Sequence, residues 1–121
     1  MIPPNTLLRT PETYARYLAR SKDNGAQCFM CGNDDNALVV FNYWKIIEND
    51  FPYDGVCDQN VMLVPLRHVA VEKDLTLAEY NELLWIKEYE ITEYDTIMLN
   101  FPKAQTHPSH LHYHLLTFRR V

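Results

Sequence analysis

The chain has 121 residues, of which 47% are apolar and 22% are charged; this balance is typical of one globular domain and excludes a disordered chain. Its net charge of −5 argues against a protein whose main role is to bind a nucleic-acid duplex, because such domains are usually basic. No apolar run approaches the ~20 residues that span a bilayer and the first residues lack a signal-peptide pattern, so we expect a cytoplasmic protein with no membrane partner.

The first segment of the chain predicts a short helix. Residues 1–9 read as an irregular lead-in, after which Thr10 has the features of an N-cap and Pro11 those of a first helical residue. The Asn24-Gly25 pair is typical of a helix end, because these two residue types tolerate the left-handed conformation.

Strands are predicted in the next part of the chain. Residues 37–48 are rich in β-branched and aromatic side chains, which favours two strands with a tight turn near Asn42. Residues 61–65 are almost wholly apolar. A short run of that kind predicts a central strand that is covered on both faces.

A longer helix follows, and its start is well marked. Thr76 and Glu79 have the spacing of a capping box. We expect the helix to bury one stripe on a sheet. The predicted stripe consists of Leu77, Tyr80, Leu84 and Ile91, with Leu83 beside it.

Two further strands are predicted, over residues 96–101 and from residue 110 to about residue 118. The order of elements predicts an α+β fold with a mainly antiparallel sheet. We expect one domain over residues 1–121, with a core at about 28–118 and a helical extension at 1–25.

Cysteine usage points to metal more than to disulfides. The three cysteines are an odd number, and Cys28 and Cys31 form a C-x-x-C pair that fits two ligands of a tetrahedral zinc or a redox dithiol. The turn-forming residues 32–36 follow directly, which favours metal over a thioredoxin-like helix. Two free thiols in a loop remain an alternative, since zinc needs two more ligands.

Histidines cluster near the end of the chain. Four of the five lie within eight residues: His107, His110, His112 and His114. The last three alternate with apolar residues, so in a strand they would share one face while their neighbours point to the core. An exposed strand face, a metal site, and a nucleophile with neighbours that bind an anionic substrate are all compatible with this pattern. The spacing does not decide between the last two.

Two motifs together resemble those of the histidine-triad (HIT) superfamily. Residues 110–116 (HLHYHLL) match its signature of three histidines that alternate with apolar residues, and residues 63–68 (LVPLRH) resemble its hydrophobic-Val-Pro-x-x-His segment. The Cys28–Cys31 pair lies where zinc-containing members carry theirs, and the resemblance covers about residues 28–118.

The resemblance implies both a fold and a reaction. The fold is a five-stranded, mainly antiparallel sheet with two helices, often paired as a homodimer. The reaction is that of a nucleotide hydrolase or nucleotidyl transferase, which cleaves at the α-phosphate of a phosphoanhydride or a phosphoramidate through a nucleotidyl-histidine intermediate.

Roles for the triad follow from the same resemblance. His112 matches the nucleophile, and His114 matches the residue that hydrogen-bonds the phosphate oxygens. His110 matches the first triad position, which in zinc-containing relatives is also a metal ligand. The implied structural zinc site consists of Cys28, Cys31, His68 and His110.

Nucleotide-binding residues are implied with less detail. Asn49 aligns with a position that contacts ribose hydroxyls, and Asn100 with one that contacts nucleotide or phosphate, although a turn-forming role at a strand end explains Asn100 equally well. Polar residues of the loop before the triad match positions near the phosphates: Gln105, Thr106 and Ser109. His107 in the same loop has no assigned role.

Asn60 departs from the family pattern, because phosphoramidase members often carry a histidine there. This difference argues against the phosphoramidase subtype. Two alternative functions also stay open: a nucleotide-binding module with weak catalysis, and a zinc-dependent interaction module.

Overall fold

The computed structural model describes residues 8–20, 28–32, 37–101 and 110–120. This part of the chain contains two α-helices, five strands and a short 3-10 turn. In chain order they are α1 (Pro11–Ala19), β1 (Ala37–Val40), β2 (Trp44–Glu48), β3 (Cys57–Pro65), the 3-10 turn (Glu72–Asp74), α2 (Leu77–Tyr89), β4 (Thr96–Met98) and β5 (Tyr113–Phe118). Neither helix of the described residues is long and apolar enough to cross a membrane.

All five strands join one sheet in the order β1-β2-β3-β5-β4, and each neighbouring pair is antiparallel. The predicted α+β fold is therefore confirmed, as is the central, buried position of the strand that contains residues 61–65. This strand, β3, begins earlier than predicted because its polar first residues still pair with β5. β4 is shorter than the predicted 96–101, since its pairing with β5 ends at Met98 and His114.

β5 begins at Tyr113, later than the predicted residue 110. The reason lies in β3, whose ladder with β5 ends at the pair Leu63–Tyr113, two residues before Pro65. Proline has no N–H to continue a ladder. The N–H of Leu111 instead donates to the carbonyl of Val69 at 2.7 Å. His114 therefore lies within the strand, whereas His110 and His112 lie on the irregular segment before it.

The main core lies between α2 and one face of the sheet. It includes the sheet residues Trp44, Ile46, Val61, Leu63, Tyr113 and Leu115 and the helix residues Leu83 and Ile86. The predicted alternation at the end of the chain is confirmed here, because Leu111, Tyr113 and Leu115 all enter this core. The histidines between them belong to the opposite side of the chain.

The predicted buried stripe of α2 is wrong for its helical residues. Leu77, Tyr80 and Leu84 are exposed, with 76% of Leu77 accessible, whereas Glu79 and Leu83 are buried. The helix carries apolar residues around most of its surface, so periodicity alone does not define one face. Polar bonds orient it instead.

Glu79 supplies those polar bonds. Its carboxylate accepts from Arg67 at 2.8 and 3.1 Å and closes the capping box with the N–H of Thr76. Its backbone carbonyl accepts from the indole N–H of Trp44 at 2.9 Å. These bonds turn the Glu79 side of α2 towards the sheet.

The other face of the sheet carries two smaller apolar clusters. One contains Met30, Ile47, Met62 and Val64, and the other contains Tyr53, Cys57 and Leu116. The C-x-x-C loop covers the first and the loop between β2 and β3 covers the second. The histidines lie on this face, beside both loops.

Helix α1 is docked on the loop between β2 and β3. Hydroxyls of Thr10 and Thr13 and the N–H of Thr10 all donate to the carboxylate of Asp54. The N–H of Gly55 donates to the carbonyl of Leu8 at 2.8 Å. A Cβ at Gly55 would lie 2.7 Å from that carbonyl oxygen, so only glycine fits there.

The end of α1 differs from the prediction. The helix stops at Ala19, and Arg20 is extended. The predicted stop at Asn24-Gly25 lies outside the described residues.

Candidate active site and metal centre

The three triad histidines lie together and are almost fully buried, with exposed fractions of 0% for His110, 3% for His112 and 4% for His114. Each ring nitrogen of a buried imidazole needs a partner or a ligand. The Nδ1 partners of His112 and His114 therefore decide which nitrogen of each neutral ring carries the proton.

His112 is held as one tautomer by the backbone. Its Nδ1 lies 2.9 Å from the carbonyl oxygen of His110, and a carbonyl can only accept, so Nδ1 carries the proton. The Nε2 atom then has a free lone pair. Burial lowers the pKa of His112, although the backbone bond partly opposes this shift. The ring is thus neutral, as a nucleophile requires.

His114 is held in the opposite sense by Asn60. The amide Oδ1 of Asn60 accepts from the backbone N–H of Tyr53 at 3.0 Å and from Nδ2 of Asn49 at 3.2 Å. Those two donors assign the amide orientation, because only the oxygen can accept. The amide nitrogen therefore donates to Nδ1 of His114 at 3.2 Å and to the carbonyl of Val61.

A neutral His114 consequently carries its proton on Nε2. Burial is the main cause that lowers the pKa of His114 to about 3, and repulsion from Arg9 and from a protonated His112 adds to it, so the ring stays neutral near pH 7. The ring stacks on Tyr53 with 4.7 Å between ring centres and meets His112 edge-on at 5.3 Å. Two neighbouring imidazoles thus present a lone pair and an N–H donor respectively.

Four potential metal ligands converge on the other side of His110. Cys28, Cys31, His68 and His110 each offer one donor atom, and these atoms all lie within 4.8 Å of one another. Sulfur-to-nitrogen distances are 3.0 to 3.5 Å, and the two Nδ1 atoms are 3.2 Å apart. Tetrahedral zinc bonds of about 2.0 to 2.3 Å place neighbouring ligands roughly 3.3 to 3.8 Å apart. The donor set therefore fits zinc in number, chemistry and spacing.

Local structure prepares these ligands for a metal. The Nε2–H of His110 donates to the carbonyl of Pro65 at 2.9 Å, which leaves Nδ1 unprotonated and aimed at the cluster. The N–H of Cys31 donates to the carbonyl of Cys28 at 3.1 Å, which closes the C-x-x-C turn. Gly32 follows with φ of +68°, a conformation that glycine adopts without strain.

The predicted nucleotide-binding residues are placed in part. Asn49 reaches the triad through Asn60, and its Oδ1 also accepts from the N–H of Phe51 at 3.0 Å. Asn100 donates to the hydroxyl of Tyr53 at 3.0 Å, and that ring stacks on His114. Four residues of the loop before the triad lie outside the described residues: Gln105, Thr106, His107 and Ser109.

Three residues beside the triad escaped the sequence analysis. Asn60 carried only the signal that it replaces a histidine, and Tyr53 lies in a turn-rich loop without a pattern. Arg9 lies in the segment that reads as an irregular lead-in. Sequence spacing does not connect any of them to His114.

Comparison with known proteins supports the fold. No protein-family model matches the chain, and a search of curated proteins finds no match. Among solved structures, this chain is similar to a HIT family hydrolase from Legionella pneumophila Philadelphia 1, with a TM-score of 0.51 and 16% sequence identity. The similarity covers 70% of this chain and 82% of that chain. The chain thus has a HIT-like fold.

Proposed function

We propose that this protein is a HIT-type hydrolase or nucleotidyl transferase that cleaves at the α-phosphate of a nucleotide. The observation that carries the proposal is the pair of opposed tautomers, with a lone pair on Nε2 of His112 beside an N–H on Nε2 of His114. A pair of this kind provides a nucleophile and an oxyanion donor for attack at phosphorus.

In the first step, the Nε2 lone pair of His112 attacks the α-phosphorus. A P–N bond forms, and the bond from phosphorus to the leaving group breaks with its electron pair on the leaving group. The Nε2–H of His114 donates to a non-bridging oxygen that gains charge. The carbonyl of His110 stabilises the positive charge that develops on the phosphorylated imidazole.

In the second step, water attacks the phosphorus and the P–N bond breaks. The electron pair returns to Nε2 of His112, the proton of the water passes to solvent, and a nucleoside monophosphate is released. A different acceptor in place of water would make the reaction a nucleotidyl transfer.

We propose that zinc is the resident metal and that its role is structural. Cys28, Cys31, His68 and His110 would hold it as a closed tetrahedron, which supplies folding energy rather than a reactive position. His110 would then join the metal centre to the carbonyl that orients His112.

Nucleotide contacts are assigned to the two described asparagines and to the loop before the triad. Asn49 and Asn100 both lie one side chain away from His114, through Asn60 and Tyr53 respectively. Gln105, Thr106 and Ser109 complete the proposed set. We also propose that the protein is a homodimer, because several large apolar side chains of α2 are exposed.

The experiment that tests this function targets His112. The His112→Asn variant should lose at least about 1,000-fold in kcat on a nucleoside phosphoanhydride or phosphoramidate, since no nucleophile remains. Wild-type protein quenched during turnover should carry a nucleotidyl group on His112 in mass spectrometry. Tyr43→Phe, an exposed residue of the β1–β2 turn, is the control. Nucleotide binding without turnover by wild-type protein would favour a binding module instead.

A further inference from the structure

Arg9 is a buried cation whose hydrogen-bonding capacity is only partly used. Its exposed fraction is 4%, and its Nε–H donates to the carbonyl of Phe51 at 2.8 Å. Its Nη1 is buried and has no hydrogen-bond partner among the described residues. An unpaired charged donor in such a position is costly, so a group of this kind normally has a ligand or another role.

The usual structural explanation, an ion pair, does not apply to Arg9 within the described part of the chain. No carboxylate there lies within ion-pair distance of it. Asp54, whose charge does act on Arg9, accepts hydrogen bonds from Thr10 and Thr13. Instead, the guanidinium carbon lies 4.5 Å from the ring centre of Tyr17 and 4.9 Å from that of Tyr53. Stacking on two rings holds the plane of the guanidinium without neutralising its charge.

Arg9 is also close to the proposed reaction centre. The ring of Tyr53 contacts both the guanidinium and the imidazole of His114. The distance from the guanidinium carbon of Arg9 to the ring centre of His114 is therefore at most the sum of these two contact distances, 4.9 Å and 4.7 Å. The positive charge of Arg9 also helps to lower the pKa of His114, which indicates that its field reaches the triad.

We propose that Arg9 binds a phosphate of the leaving group, so that the substrate is a nucleoside phosphoanhydride rather than a phosphoramidate. This inference rests on the proposed function and names its substrate class. The α-phosphate would lie at His112 and His114, and the next phosphate would accept from Nη1 of Arg9. When the P–O bond to the bridging oxygen breaks, that oxygen keeps the electron pair, and Arg9 stabilises the added charge.

An amine leaving group would gain nothing from this cation. It departs as a neutral or cationic species, and a guanidinium beside it would oppose its departure. The docking of α1 does not depend on Arg9 alone, because Thr10 and Thr13 bind Asp54 and Leu8 binds Gly55. Substitution of Arg9 can therefore be read as a test of ligand binding.

The first test compares two substrate classes. Wild-type protein should have a higher kcat/KM for a dinucleoside tetraphosphate than for the matching nucleoside 5′-phosphoramidate. In Arg9→Gln, kcat/KM for the tetraphosphate should fall on the order of 10- to 100-fold, the effect of one charge-assisted hydrogen bond. The fall on the phosphoramidate should be much smaller, and Arg9→Lys should recover part of the tetraphosphate activity.

Arg16→Gln is the matched control. Arg16 lies on α1, close to Arg9 in sequence, has the same charge and stacks on Phe51, but it is exposed. It should change kcat/KM for either substrate less than threefold. Equal losses on both substrates in Arg9→Gln, equal losses in the two variants, or a wild-type preference for the phosphoramidate would each overturn the proposal.

A binding measurement separates this proposal from the proposed function. Tripolyphosphate needs no nucleophile to bind, so calorimetry should give binding to wild-type protein that weakens at least 10-fold in Arg9→Gln and persists in Arg16→Gln. If no substrate is turned over but this pattern is found, the enzymatic function fails and the anion site stands. If turnover occurs without tripolyphosphate binding, the function stands and the anion site fails.

Discussion

At the scale of single residues, the chemistry of the site is decided by two hydrogen bonds. The carbonyl of His110 accepts from Nδ1–H of His112 and so keeps the proton there, whereas the amide nitrogen of Asn60 donates to Nδ1 of His114 and keeps that atom unprotonated. The triad itself could be predicted from sequence, because alternation with apolar residues is a local pattern. The role of Asn60 could not, since it depends on contacts across the sheet from Asn49 and Tyr53.

Asn60→Asp should reverse the tautomer of His114. The carboxylate would still accept from Tyr53 and Asn49, but it would also accept from His114, so the proton of a neutral ring would move to Nδ1. Nε2 would then lose its donor, and we expect kcat to fall on the order of 100-fold. Nitrogen NMR of His114 should report the change. Gln59→Glu adds the same charge at an exposed neighbouring position and should leave kcat unchanged; a normal kcat in Asn60→Asp would refute the assignment.

The buried His114 should also make folding stability depend on pH. Its pKa is lowered to about 3 in the folded protein, against an ordinary value near 6.5. Between these pH values the unfolded chain binds a proton on His114 and the folded protein does not. The contribution of His114 to the free energy of unfolding is therefore fully present above about pH 6.5 and decreases as the pH falls. From pH 7 to pH 5 this residue should remove about 2 kcal/mol from the free energy of unfolding.

Urea denaturation at the two pH values measures this effect. His114→Asn lacks the titrating ring, so its loss of stability between pH 7 and pH 5 should be smaller than that of the wild type by about 2 kcal/mol. The difference between the two proteins removes the contributions of the other histidines. Identical losses would mean that His114 titrates normally when folded.

At the scale of elements, the C-x-x-C loop and helix α2 differ in how far sequence predicts them. The zinc ligand set was predicted because the family resemblance connects the distant Cys28, Cys31, His68 and His110, and their donor atoms do converge. The predicted buried face of α2 was wrong, because apolar residues surround the helix and the bonds of Glu79 decide its rotation.

Removal of the metal should destabilise the fold. We expect purified protein to hold about one equivalent of zinc, and chelation or Cys28→Ser to lower the melting temperature by at least about 10 °C, since structural zinc contributes directly to folding. Cys57 lies outside the cluster, so the Cys57→Ala variant is the control and should retain about one equivalent of zinc. Less than about one-tenth equivalent of metal, with no effect of chelation, would contradict a structural site.

At the scale of the whole molecule, the sequence predicts an α+β fold with a mainly antiparallel sheet, but it does not predict the strand order β1-β2-β3-β5-β4. Periodicity predicts the strands and helices, whereas β5 pairs between β3 and β4 through contacts between residues that are distant in the sequence. The docking of α1 on the β2–β3 loop was not predicted, because it depends on Asp54 and Gly55, which read only as turn residues.

The proposed homodimer predicts that the exposed side of α2 forms the interface between the two chains. Leu77, Tyr80 and Leu84 are exposed along one side of the helix. Leu84→Glu should place a charge in a buried interface and reduce the mass measured by light scattering from two chains to one. Leu38→Glu on the edge strand β1, a residue of similar exposure, is the control and should leave the mass unchanged. A single-chain mass for wild-type protein would exclude the dimer.

The turn after β3 has a mechanical consequence. Arg67 binds the carboxylate of Glu79 on one side of the sheet, while its neighbour His68 lies among the cysteines on the other. A displacement of His68 would therefore shift its neighbour Arg67 and weaken the ion pair between Arg67 and Glu79, which holds the first turn of α2. Backbone amides of that turn should exchange with deuterium faster once the cysteine–histidine cluster is emptied.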